Sequence, residues 1–180
     1  RFNLIANQWG ATLAGIKPWA LSANAAAARG DLGLGSAAVR EALGSSGALY
    51  SRDSILGAVS QSSGVPTGAV IERGSNANGE YIRLADGTQI CWFNASVTDQ
   101  AVDSPYGSLF TGTRGWSFPA TFVGSPTVSV GLFRWGTGAG WGTVGGVAST
   151  TSVTLRIFDI SSRATGTATA ISAIATGRWF

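Results

Sequence analysis

Residues Tyr81 to Trp92 constrain this chain more than any other stretch, because two short runs rich in apolar residues meet there at Asp86-Gly87. Asp-Gly between such runs is a strong short-range signal for a two-residue type I′ turn, in which both central positions take φ above zero. That turn sets Arg83 opposite Ile90, Ile82 opposite Cys91 and Tyr81 opposite Trp92. One face of the hairpin then carries Tyr81, Arg83, Ile90 and Trp92, and the other Ile82, Leu84 and Cys91. Both faces are largely apolar, whereas a hairpin with one wet side shows a polar one. The expectation is that one face covers the domain's own core, while Tyr81, Arg83, Ile90 and Trp92 pack on a neighbouring subunit.

The period of two continues along the chain. Gly68 to Arg73 reads as a strand, followed by a turn-rich loop from Gly74 to Gly79. Trp116 to Phe122 leads in a further strand region. Thr127 to Trp135 alternates through Val128, Val130 and Leu132, and Ser152 to Ile160 through Val153, Leu155 and Ile157. Val144 to Ala148 and Ala168 to Trp179 complete the set, with Gly136 to Gly142 as a glycine-rich loop. Many strands separated by turn signals predict a mainly β protein with an antiparallel β-sandwich head over residues 68–180.

Residues 1–67 differ in character. They are rich in Ala, Gly and Ser, and their helical signals are short: Ser22 as cap of a helix through Ala28, and Ser36 as cap of Ala37 to Leu43, stopped by Gly44. Neither is long enough to stand alone. Leu32, Leu34, Val39, Leu43, Leu49, Ile55 and Leu56 are too sparse for a separate core, and Trp9 and Trp19 are poor linker residues. The segment reads as an attachment and stalk region whose apolar residues meet their own copies around a symmetry axis, with a disordered linker as the alternative. The chain opens at Arg1 with no signal-peptide pattern, as a trimmed or partial chain would.

Composition excludes several chemistries. There is no histidine, hence no Ser-His-Asp triad, Cys-His pair or imidazole metal site. One cysteine, Cys91, forms neither an intrachain disulfide nor a thiolate cluster; alternating with apolar residues, it reads as a small buried hydrophobe. Charged residues are 12% of the chain, about half the usual share, which favours surface buried between subunits. The net charge of +3 comes almost wholly from arginines scattered singly, without the clustering that nucleic acid requires. Gly, Ser and Thr interrupt every apolar run well short of the roughly 20 residues of a spanning helix, so membrane insertion is not expected. No cofactor or metal is implied, and the chain is expected not to be an enzyme.

Gly136 to Gly142 lacks the Lys-Ser/Thr ending of a phosphate loop and leads into a strand, so that motif fails twice. The loop does present Trp141, with Arg134 and Trp135 just upstream. An indole offers a flat apolar face to pyranose C–H groups, and an arginine can hold hydroxyls or an acidic substituent. Arg134, Trp135, Trp141 and Asp159 are therefore the candidate glycan contacts. The plainer reading makes the tryptophans strand-end plugs and pairs Asp159 with Arg163. Glu72, Glu80, Asp86, Asp99, Asp103 and Asp159 are scattered, and make no local case for the facing carboxylates of a glycosidase.

Gly64 to Trp92, centred on Tyr-x-Arg-x-x-Asp-Gly-Thr-Gln-x-Cys-Trp, resembles the carboxy-terminal region of phage tail fibres. It is similar especially to those of alphaproteobacterial prophages and of gene-transfer-agent head-spike fibres. Leu32 to Val39 is similar to the Leu-Gly-Leu-Gly segments of such shafts, so the resemblance spans roughly residues 32–93. Phe118 to Val130, Thr151 to Phe158 and Ala173 to Trp179 resemble an H-type-lectin sandwich, without a match to that family's ligand residues. The resemblance implies a homotrimeric fibre on the exterior of a virion, anchored at its amino terminus by another virion protein. Its head would bind host capsular or other surface polysaccharide. A purely structural fibre component and a capsule-degrading tailspike are the alternatives.

Overall fold

A computed structural model describes residues 24–32, 52–134 and 140–180. By internal contacts the chain divides into Arg1–Leu49 and Tyr50–Phe180. Within the first unit the described element is helix α1, Ala25–Asp31, whose Asn24 side chain accepts a hydrogen bond from the Ala27 amide at 3.0 Å. Asn24, not Ser22, is thus the cap; both residue types serve, but the helix begins two residues later than expected. The expected helix Ala37 to Leu43, Trp9 and Trp19 lie outside the described residues.

The second unit starts with a single helical turn, α2 (Arg52–Ile55), and a small hairpin, β1 (Gln61–Ser62) with β2 (Val65–Pro66). Two sheets follow. The five-stranded sheet runs β3 (Ile71–Asn76), β4 (Gly79–Leu84), β5 (Thr88–Val97), β11 (Thr169–Arg178), β8 (Thr127–Arg134). The four-stranded sheet runs β6 (Ser104–Tyr106), β7 (Leu109–Ser117), β10 (Ser152–Asp159), β9 (Gly140–Val144). Every ladder within the two sheets is antiparallel. The expected β-sandwich is therefore the architecture, and no helix among the described residues is long and apolar enough to cross a membrane.

The two strands with paired neighbours on both sides and the strongest alternation, β10 and β11, supply the centre of the core. Val153, Leu155 and Ile157 face Ile171, Ala173 and Ala175 within one buried cluster that includes Trp116, Phe118 and Phe122. The small β11 residues leave room for those aromatics; a Cβ on Gly177 would lie 2.9 Å from the Phe122 ring. Trp116–Phe118 and Phe118–Phe122 pack edge to face, at centroid distances of 4.9 and 5.2 Å, the arrangement the ring quadrupole favours.

Two features differ from the sequence expectation. Residues 56–69 hydrogen-bond onto the head: Gly57 N donates to Ile71 O, Ala69 N to Ala58 O and Val59 N to the Glu72 carboxylate. Described residues upstream of the composition change at residue 67 thus fall in the same unit as the sandwich. The second difference is register. Arg83 pairs with Gln89, Ile82 with Ile90, Tyr81 with Cys91 and Glu80 with Trp92. The connection is a longer turn, in which Gly87 N donates to Leu84 O and Gly87 alone has positive φ, at 94°. This is the type I turn with a glycine bulge rather than the two-residue I′ turn. The Asp86 carboxylate accepts from the Thr88 amide at 2.8 Å, which holds its pKa below the usual carboxylate range.

A one-residue slip moves one strand's side chains to opposite faces. Tyr81 and Arg83 consequently share the inward face with Cys91 and Gln89, while Ile90 and Trp92 share the outward face with Ile82 and Glu80. The four residues expected to form one subunit-packing face are split two and two.

Candidate functional site

The outward face of the four-stranded sheet carries the most distinctive exposed chemistry of the described residues. On β10 the aliphatic run Val153, Leu155, Ile157 points inward, so Arg156 and Phe158 point outward. Phe158 pairs in register with Trp141 of β9, and their rings stack at a centroid distance of 5.7 Å with 23° between planes. From the other side Tyr106 of β6 meets Phe158 edge-on at 5.3 Å. The Arg156 guanidinium lies 5.8 Å from the Tyr106 ring centre, within cation–π range. Trp141 is 43% and Tyr106 52% exposed. Three rings and a guanidinium thus form an open platform, held by strands rather than loops.

Glycine makes this placement possible. Gly140 and Gly142 flank Trp141, and their inward positions lie hard against β8: a Cβ would sit 2.9 Å from Leu132 Cδ2 at the first and 2.5 Å from Val130 Cγ1 at the second. The second half of the expected glycine-rich loop is therefore strand, and its glycines allow close approach of the two sheets.

Of the expected glycan contacts, Trp141 lies on the platform. Trp135 and the side chain of Arg134 lie outside the described residues. Asp159 is turned the other way. In phase with Val153, Leu155 and Ile157, it is 1% exposed, accepts from the Ser161 amide at 2.9 Å and pairs with Arg163 at 3.2 Å. Its carboxylate is out of reach of a dissolved ligand and serves the strand end, the plainer of the two sequence readings.

Phe158, Arg156 and Tyr106 were not anticipated. The signal for the first two was present, since residues alternating with a buried aliphatic run must face outward. Nothing comparable marks Tyr106, whose strand is a short edge after Pro105.

A different kind of surface covers β5, β11 and β8 of the five-stranded sheet. Trp92, Asn94, Ser129, Gly131, Ser172 and Ile174 line a shallow, mostly apolar depression there. None of these residues carries a charge, and Ile174 is 44% exposed. The ionic pair Arg73–Glu80 on β3 and β4 borders this surface, Glu80 standing directly opposite Trp92.

Inside the sandwich, Glu72 gathers a polar network. It accepts from Tyr81 Oη at 2.9 Å and from Val59 N at 3.0 Å, and lies 3.6 Å from Arg83. The hydrogen bond to Glu72, with burial second, raises the Tyr81 pKa. Cys91 is fully buried, and burial raises its thiol pKa, as fits a packing residue rather than a reactive one. Among the described residues no cluster of Cys, Asp and Glu is suited to hold a metal ion.

No family model matches the chain, and no curated protein matches it. Two solved structures are similar. One is a C-terminal segment of the Pseudomonas aeruginosa R1 pyocin fibre, with 16% identity, a TM-score of 0.43, and coverage of 87% of this chain and 32% of that one. The other is an N-truncated R1-type pyocin tail fibre, with the same identity, TM-score and coverage of this chain, and 98% of that chain covered. The chain thus spans about a third of the first and nearly all of the second. Likeness at this level leaves the functional reading to the chain's own residues.

Proposed function

We propose that this chain is the fibre subunit of a phage-like particle, a homotrimer on the virion exterior whose sandwich head binds host-surface polysaccharide. The observation that carries the binding reading is the Trp141–Phe158–Tyr106 platform beside Arg156. Large aromatic rings left in water on a rigid sheet are costly unless something covers them. A sugar ring suits them, because its C–H face is apolar and its hydroxyls need polar groups at the edge. Residues 32–93 supply the fibre context through their resemblance to tail and head-spike fibres. The charge-poor surface of β5, β11 and β8 supports self-association, since copies meeting there bring no like charges together. Weak sites repeated three times per fibre gain strength by effective concentration. Another virion protein would anchor the amino-terminal segment, and no covalent chemistry is involved.

Binding of the purified chain to host cells with and without capsular polysaccharide tests the reading. Retention on encapsulated cells and loss on capsule-free cells is expected; binding to neither makes the chain a structural component instead, and equal binding to both rules out the capsule as its ligand. Light scattering tests the assembly. A trimer is expected, and Ile174→Arg, which puts like charges together at the packed face, is expected to release monomers. A wild-type chain that is monomeric at micromolar concentration overturns the trimer.

A further inference from the structure

We propose that the platform is built for an anionic pyranose, a uronate, whose carboxylate is taken by Arg156. This rests on the glycan reading above and narrows it. The other described arginines of the sandwich already have partners. Arg73 pairs with Glu80, Arg83 with Glu72, Arg114 with Asp99 and Arg163 with Asp159. Arg178 donates to the carbonyls of Phe180 and Asp86. Among the described residues Arg156 pairs with no carboxylate; its contact is the Tyr106 ring. Its Nε is buried with no hydrogen-bond partner.

A guanidinium is always charged and carries five donors in a planar fork that matches two carboxylate oxygens. The buried Nε is closed to a dissolved ligand, so a carboxylate would meet the guanidinium through its terminal nitrogens, approaching along the sheet face. The surroundings decide which acceptor. A free small anion would find one cation on an open face. A uronate adds a ring that can lie against the exposed Trp141 indole, whose other face is stacked on Phe158, while its carboxylate, at the ring's edge, extends toward Arg156 beside Tyr106. Neighbouring β-strand side chains place the two contacts at ring-sized separation: Phe158 and Arg156 are alternate residues on the same face of β10, about 7 Å apart along the strand.

The test uses the intact chain and fragments of oligogalacturonate, alginate and hyaluronan, each beside its carboxyl-reduced counterpart, which keeps the ring and loses the charge. Calorimetry is expected to show at least one uronate binding about tenfold tighter than its reduced form, as charge-assisted hydrogen bonds allow, with the difference shrinking as salt is raised. Arg156→Gln is expected to abolish the difference while keeping the weaker binding of the reduced form. Arg156→Lys, which retains charge without the fork, is expected to restore part of it.

Equal affinity for acidic and reduced forms overturns the inference and leaves the glycan reading standing. Binding of neither form by the wild type overturns the uronate, and absence of binding to host cells as well overturns the glycan reading with it. Preference for dextran sulfate over every uronate assigns Arg156 to sulfate esters and overturns the carboxylate. If Arg156→Gln changes the mass in light scattering instead of the ligand preference, Arg156 is a subunit contact and the inference falls.

Discussion

Replacing Gln89 by alanine is expected to lower the unfolding free energy by about 3 kcal/mol, read as a lower denaturant midpoint with an unchanged slope. Gln89 is fully buried on the inward face of β5. Its Nε2 donates to the carbonyls of Ala120 and Thr121, at 3.0 and 3.2 Å, and its Oε1 accepts from Arg83 Nε at 2.8 Å. One side chain thus ties the β4–β5 hairpin to the segment joining β7 and β8. Alanine would leave these partners short of hydrogen bonds in a dry interior, where an unpaired polar group costs more than the bond contributed, and would add a cavity. Gln89→Met separates the two effects: it fills the space without the hydrogen bonds, and is expected to recover the cavity part alone. Subunit association, which the proposed trimer entails, would add to stability, so the variants are to be compared at one protomer concentration. A loss below about 1 kcal/mol for Gln89→Ala would mean that the carbonyls find other donors.

The same residue shows where sequence reasoning runs out. Asp86-Gly87 marked the hairpin correctly, but a type I turn with a bulge at Gly87 satisfies that dipeptide as well as a type I′ turn does. The choice between them rests on tertiary contacts: Trp179 Nε1 donates to Leu84 O, and Trp179 N to Gly87 O, so the end of the chain grips the turn. A polar Gln89 gave no hint of being buried, because its partners lie some thirty residues on. The strands β10 and β11 were legible because both are central, and a buried inner face forces strict alternation. β9 was not, since glycines that allow close sheet packing are indistinguishable in sequence from glycines that loosen a loop. β7 was placed late for a related reason: its Gly112 and Gly115 blur the period, and an added Cβ on Gly112 would strike the Ala101 carbonyl. Of the platform, Trp141 was legible as an aromatic without a core position. Arg156 and Phe158 were not anticipated, although the inward alternation of Val153, Leu155 and Ile157 places them outward, and the same alternation turns Asp159, an expected glycan contact, away from the surface. Tyr106 depends on a three-residue edge strand, and such strands leave almost no periodic trace.

Trp141→Ala is expected to weaken glycan binding at each site by about 2 kcal/mol, roughly thirtyfold, while leaving the fold intact. Two opposed requirements make this the informative substitution. The residue must contribute a large face to the ligand, and its loss must not disturb the core. Trp141 is exposed, sits on the outer side of edge strand β9, and stacks on Phe158. Losing that pair costs about 1 kcal/mol of stability, small enough to be checked by melting. Phe158 would be a poorer probe, since it lies half-buried between Trp141 and Tyr106 and its removal would free both rings. Trp141→Phe keeps an aromatic face of smaller area and is expected to fall between wild type and alanine. Tyr106→Ala should weaken binding too, and the double variant should lose less than the sum, because the two rings share one ligand and one intervening Phe158. For the proposed trimer the loss on cells should exceed that at a single site, since three weakened sites lose their effective-concentration advantage as well. Tryptophan fluorescence would report occupancy directly in the wild type and lose that response in Trp141→Ala. A folded Trp141→Ala chain that binds glycan and encapsulated cells as the wild type does would remove the platform from recognition.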